Sequence, residues 1–219
     1  MNVVLFGASG MVGQGVLREC LLDPGVGRVL LIGRSAIDLQ HPKLRQLVGP
    51  DLFDYSDVES DLAGYDACFF CLGVSAAGLS EDDYRCVNYD LPLAAAAALV
   101  KVNPGMTFIY VSGTGTDSTE RGRTMWARVK GATENALLRM PFKAAYMFRP
   151  GFIQPMHGET SKTRLYRVFY VIAHPLMPVL RQFFPKYVTT TEQIGRAMIK
   201  VARGGALKAI LETEDINAL

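Results

Sequence analysis

Histidine, cysteine and tryptophan are scarce in this chain, and each scarcity removes a class of function. Three histidines and four cysteines in 219 residues offer little to bind a metal. Cys20, Cys68, Cys71 and Cys86 lie in apolar or mixed segments with no ligand spacing to any histidine, so no metal is expected. Cys68-Phe-Phe-Cys71 has redox-motif spacing, but it closes an apolar run instead of opening a helix. It reads as a pair of buried free thiols, which suits a reducing compartment. His157 and His174 carry no partner pattern and read as structural or exposed. A formal net charge of +2 gives no basic field for nucleic acid. No apolar stretch is long and charge-free enough to cross a bilayer. A strand that opens at residue 2 leaves no room for a signal peptide, so a cytoplasmic protein is expected. Repeats, low-complexity tracts and linkers are absent too, and the length predicts a single domain over residues 1–219.

What is present begins at the N-terminus. Val3 to Phe6 is an uninterrupted apolar run, as in a strand buried on both faces of a parallel sheet. It stops at Gly7, after which Val12, Val16 and Leu17 recur at helical spacing. The turn holds Gly7, Gly10 and Gly13, a G-x-x-G-x-x-G spacing. In a dinucleotide site the first glycine permits the tight turn, the second lets backbone approach a pyrophosphate, and the third lets helix pack close to strand. The helix N-terminus then offers free N–H groups to the phosphates.

Strand and helix signals alternate along the rest, which predicts an α/β fold: a doubly wound parallel sheet (Rossmann fold) with a small C-terminal substrate-side region. A helix is expected over 11–22 and a strand over 29–32, closing at Gly33-Arg34-Ser35. An NAD-preferring fold places a carboxylate there, whereas an arginine accommodates a 2′-phosphate. Arg34, with Ser35 as a second donor, therefore favours NADP. A strand over 44–48 leads to Asp51, which either accepts from an adenine amino group or caps the following segment. A strand over 65–73, one helix from Glu81 through Ala98 containing Asn88, and a strand over 107–111 follow. A helix over 125–139, a strand over 144–148, a helix over 191–203 and a short strand over 209–211 complete the pattern.

These marks resemble the short-chain dehydrogenase/reductase superfamily, and more narrowly its atypical branch of Tat-interacting-protein-like and NAD(P)-binding epimerase-like proteins. The resemblance rests on Gly7-Ala8-Ser9-Gly10-Met11-Val12-Gly13, Arg34, Asp51-Leu52, Cys71-Leu72-Gly73, Val87-Asn88, Val111-Ser112, Lys130 and Arg149-Pro150-Gly151. It implies that these stretches line an NADP site. It also implies a catalytic serine, tyrosine and lysine: the tyrosine exchanges a proton with the substrate, the lysine binds the nicotinamide ribose, and the serine polarises the substrate oxygen. Ser112 and Lys130 match, whereas the tyrosine position is Trp126. An indole is a donor only and cannot act as general acid or base. Thr114, Tyr84 and Tyr166 are the hydroxyls that could substitute.

The stretch from Arg164 to Tyr187 is aromatic with basic flanks, inside a segment (152–190) read as a lid or substrate-side insertion. A lid of two short helices, ordinary core packing, a dimer surface and a patch lying on a lipid interface are the open readings. The sequence thus describes an NADP-binding oxidoreductase-like protein for a small, apolar carbonyl or hydroxyl compound, with a degenerate site. A non-catalytic NADP-binding redox sensor or interaction module is the alternative, and a nucleotide-sugar epimerase is weakened by the short C-terminus. Monomer and homodimer both remain open.

Overall fold

Alternating apolar runs and amphipathic segments fold as the pattern dictates, into a sheet with helices on both faces. The computed structural model describes residues 1–159 and 186–219. Its strands are β1 (Asn2–Phe6), β2 (Arg28–Gly33), β3 (Leu44–Val48), β4 (Ala67–Phe70), β5 (Thr107–Val111), β6 (Ala144–Arg149), β7 (Phe152–Gln154), β8 (Val188–Thr190) and β9 (Ile210–Glu212). The helices are α1 (Met11–Leu22), α2 (Glu81–Arg85), α3 (Leu91–Val102), α4 (Met125–Leu138), α5 (Thr191–Gly204) and α6 (Thr213–Ala218). Seven strands pair in the order β3-β2-β1-β4-β5-β6-β9, all parallel. β2 lies on one side of β1 and β4 on the other, so the winding reverses direction at β1. A crevice opens at that point, beyond the carboxyl ends of the strands.

Each central strand buries both faces, so its residues divide between two cores. Val3, Leu5, Phe69, Ile109 and Phe148 pack with α1 and α5 on one side. Val4, Phe6, Phe70, Phe108 and Tyr110 pack with α3 and the end of α4 on the other. On that second face Phe6, Phe70 and Phe108 stack in succession across β1, β4 and β5, at centroid distances of 4.9 and 6.0 Å.

The single helix expected over 81–98 is interrupted. Between α2 and α3 the residues Cys86–Asp90 form a π-turn. The reason is Pro92, which has no N–H to give the carbonyl four residues earlier, that of Asn88. The freed Asn88 carbonyl accepts instead from the Thr133 hydroxyl at 2.7 Å and the Tyr110 hydroxyl at 3.3 Å. Thus a proline in α3 ties this helix to α4 and β5.

Three features escaped the pattern: a 3₁₀ turn (Ser56–Leu62), helix α6, and the parallel pair β7–β8. Their segments are too short for periodicity to register. Of the substrate-side segment, 152–159 and 186–190 are seen, and β7 and β8 are its two ends brought together. Residues 160–185, including Arg164, Tyr166 and His174, lie outside the described residues.

Gly13 and Gly131 are steric necessities, and Gly10 is not. A Cβ on Gly13 would overlap the Gly7 carbonyl, and one on Gly131 would overlap the Asp117 carbonyl; one on Gly10 would meet only the Gly7 oxygen, at 3.4 Å. Gly13→Ala and Gly131→Ala should each lose about 1–3 kcal/mol of stability by urea denaturation. Gly10→Ala should lose less than about 1 kcal/mol.

Candidate functional site

The crevice begins at the turn after β1. Gly7 is in the left-handed region (φ +81°), and a side chain there would strike the Leu72 nitrogen at 2.6 Å and the Cys71 oxygen at 2.8 Å. The turns after β1 and β4 therefore touch, and the Cys71 amide donates to the Phe6 carbonyl at 3.1 Å. Gly10 is the extended N-cap of α1. No side chain caps this helix, and its first turn holds no acid. The positive end of α1 is left facing the crevice, flanked by half-buried Met11 and Val12. Ser9 uses its carbonyl locally, accepting from Gln14 Nε2 at 3.2 Å. The Gly10 position is thus open where the backbone has no need of glycine. An approaching pyrophosphate would need it, so the loop fits a dinucleotide.

At the end of β2, Arg34 and Ser35 are exposed. Arg34 has no ion-pair partner among the described residues, although Asp38 follows four residues later. At the end of β3, Asp51 Oδ1 accepts from the Phe53 amide at 2.8 Å, closing a local turn, while Leu52 is buried in the core. At the end of β4, Gly73 lies against Asn88, whose Oδ1 would be 3.0 Å from a Cβ there. Asn88 is 1% exposed; its Oδ1 accepts from the Val74 amide at 3.3 Å, and its Nδ2 donates to the Tyr84 carbonyl at 3.1 Å.

β5 and α4 supply the other half. Trp126, Lys130 and Glu134 stand four residues apart and share one face of α4. Trp126 is half-buried, its ring edge beside Gly115 in the loop after β5. Lys130 Nζ donates to the Ser112 carbonyl at 2.6 Å and lies 6.0 Å from the Tyr110 ring centroid. Burial pushes the ammonium down to about 8, against the field of Glu134, which raises it.

Glu134 is the residue that sequence reading missed. It is fully buried and is held from two strands: Ser112 Oγ donates to it from the end of β5, and the Arg149 guanidinium donates from the end of β6, with Nε at 3.0 Å from one oxygen. Arg149 also reaches the Ser118 hydroxyl at 2.5 Å and Glu212 at 3.4 Å. The hydroxyl proton of Ser112 faces this buried carboxylate, and its Oγ also lies 3.2 Å from the Phe148 carbonyl. One signal was available: an acid one turn beyond Lys130 on an inward helix face, with a basic residue closing β6. Pro150 and Gly151 finish that corner, where the Thr114 amide donates to the Pro150 carbonyl at 3.0 Å and the Gly151 amide to the Thr213 hydroxyl at 2.7 Å.

Of the substitute hydroxyls, Thr114 donates to the Arg149 carbonyl at 3.1 Å, and Tyr84 is buried, which pushes its phenol up to about 12. His157 pairs with Glu192 at 2.7 Å. Among the described residues no cluster of side chains is arranged to hold a metal ion.

No family model matches the sequence. The chain is 26% identical over 205 residues to the mitochondrial protein fmp52 of Emericella nidulans, which covers 90% of this chain and 85% of that protein. It is 30% identical over 173 residues to the mitochondrial protein fmp52 of Aspergillus niger, covering 74% and 70%. With the rat (Rattus norvegicus) protein HTATIP2 it shares 27% over 155 residues, covering 69% and 62%. Among solved structures the fold is similar to the Bordetella bronchiseptica enzyme WbmF in complex with NAD+ (TM-score 0.68, 15% identity, 99% of this chain and 76% of that one). It is also similar to a short chain dehydrogenase family protein from Francisella tularensis (TM-score 0.66, 16% identity, 96% and 95%). The fmp52 proteins are named as mitochondrial, which overturns the cytoplasmic expectation. Buried thiols indicate a reducing surrounding and do not separate one such compartment from another. No helix among the described residues is long and apolar enough to cross a membrane.

The buried ion pair makes a direct prediction. Glu134→Ala leaves the Arg149 cation partly uncompensated and frees Ser112, and should destabilise the protein by about 3 kcal/mol in urea denaturation. Glu212→Ala removes a half-exposed partner of Arg149 together with the capping-box acceptor of α6, and should cost about 1–2 kcal/mol, less than Glu134→Ala.

Proposed function

The chain belongs to the fmp52 family of atypical short-chain dehydrogenase/reductases, and on that premise we propose that it binds a nicotinamide dinucleotide along the crevice, NADP in preference to NAD. The observation that carries this reading is the combination of an open Gly10 cradle at an uncapped helix end with an exposed Arg34 at the end of β2. The amides of the Gly7–Gly13 loop, with Ser9, Met11 and Val12, hold the pyrophosphate. Arg34 and Ser35 take the 2′-phosphate, and Asp51 and Leu52 border the adenine. Cys71, Leu72, Gly73 and Asn88 form the floor, and Lys130 with Ser112 and the Arg149-Pro150-Gly151 corner mark the nicotinamide end. The NAD+ and NADH complexes of the similar WbmF structure agree with a nicotinamide cofactor.

When bound, NADPH supplies a hydride. The chain's own contribution at that end is an ammonium and an indole: Lys130 binds the ribose, and Trp126 closes the pocket beside the ring. With Trp126 at the tyrosine position, α4 carries no phenol one turn before Lys130, and reduction of a small carbonyl compound would be slow. A non-catalytic NADP-binding sensor is the second reading, favoured by that same tryptophan. In either case a mitochondrial location is supported by the fmp52 relatives, which are named as mitochondrial.

Three variants test the assignment. Arg34→Asp should weaken NADP about 10- to 100-fold while leaving NAD nearly unchanged, since one or two charge-assisted bonds are lost. Equal affinity of the unaltered protein for both cofactors would remove the NADP preference. Gly10→Val should abolish binding with the fold intact by circular dichroism. Trp126 is the only tryptophan, so NADPH should quench the protein's emission, and Trp126→Tyr should raise turnover of small aldehydes or ketones. Brisk reduction by the unaltered protein, with no change in Trp126→Tyr, would mean that another residue supplies the proton.

A further inference from the structure

Among the described residues Lys130 has no counter-ion of its own. Its Nζ donates to a neutral acceptor, the Ser112 carbonyl at 2.6 Å, and no carboxylate among the described residues pairs with it. The one acid on its helix face, Glu134, is already engaged by Arg149 and Ser112. The Tyr110 ring and one turn of helix bearing Trp126 wall the amine on the apolar side, and the side chain is half-buried. Lys208 is the contrast: it pairs with Asp215 at 2.7 Å, which holds its proton more firmly than usual.

We propose that Lys130 is an imine-forming amine, a site for the reversible covalent capture of small aldehydes. The Nζ lone pair adds to the carbonyl carbon, and the two N–H protons leave with the carbonyl oxygen as water. A C=N bond remains, and hydrolysis returns both partners. Burial supplies the nucleophile: desolvation pushes the pKa down to about 8 although the Glu134 field raises it, so roughly a quarter of the amine is neutral near pH 7.5, against about one in a thousand for an ordinary lysine. If Lys130 also holds the nicotinamide ribose, which rests on the reading above, aldehyde and NADP exclude each other. The protein would then register aldehyde against cofactor.

The experiment treats the full chain with butyraldehyde near pH 7.5, fixes imines with borohydride, and maps the adducts by peptide mass spectrometry. Lys130 should be modified at least about tenfold faster than Lys101, Lys143 or Lys208. Its rate should rise through half-maximum near pH 8. Lys130→Arg should lose this adduct and leave the others unchanged. Modification of Lys130 no faster than of Lys101 or Lys208 overturns the proposal, and because this comparison is made within the unaltered protein it does not depend on a variant folding. NADP should protect Lys130 alone. A fast adduct that NADP does not block supports the imine site and counts against the placement of the ribose.

Discussion

The fold depends on a close approach that only glycine allows. Gly7 turns the chain off β1 in the left-handed region, and Gly13 brings α1 down until its backbone lies against the Gly7 carbonyl. Both contacts are backbone on backbone, so no side-chain rotation can relieve a substitution. The same approach presses the β1 turn against Cys71 and Leu72, setting the turn after β4. It also aims the first turn of α1 at the crevice. On its far side α1 crosses α5 closely, with Gly15 against Thr191 and Gly195 against Glu19. This end of the crevice is therefore set by backbone contacts, whereas a side chain at Gly10 would meet only the Gly7 oxygen.

The opposite end is organised by charge. A carboxylate with no exposure must be surrounded by donors, and Glu134 takes them from the ends of β5 and β6 at once. This fastens α4 across two strands and turns the Ser112 hydroxyl inward. Lys130, one turn away, is left with a carbonyl in place of a carboxylate. Burial, only partly offset by the field of Glu134, leaves Lys130 with a weak hold on its proton.

A proline links the two ends. Pro92 cannot donate to the Asn88 carbonyl, and the π-turn so created presents that oxygen to Thr133 on α4 and Tyr110 on β5. The Asn88 side chain meanwhile braces Val74, beyond the turn that touches Gly7. One residue thus ties the loop after β4 to the helix carrying Lys130.

By itself the sequence determined the doubly wound parallel sheet, the strands buried on both faces and the glycine turn after β1. These follow from local signals: apolar runs of strand length, helical periodicity, and glycines at positions where backbone meets backbone. The bounds of α1, β3 and β5 could be read residue for residue, because glycine, proline and polar residues punctuate them. The absence of a tyrosine, marked by Trp126, was equally plain. The break in the 81–98 helix was not read, although its cause, Pro92, stood in the sequence. Only the tertiary structure decided the partners of Ser112, Lys130, Glu134 and Arg149, which lie up to 37 residues apart in the chain. The environment of a buried charge depends on which strands end beside it, and spacing along one chain carries no record of that. The pairing of β7 with β8 belongs to the same class, since three residues on either side of a long segment meet only when the fold is complete.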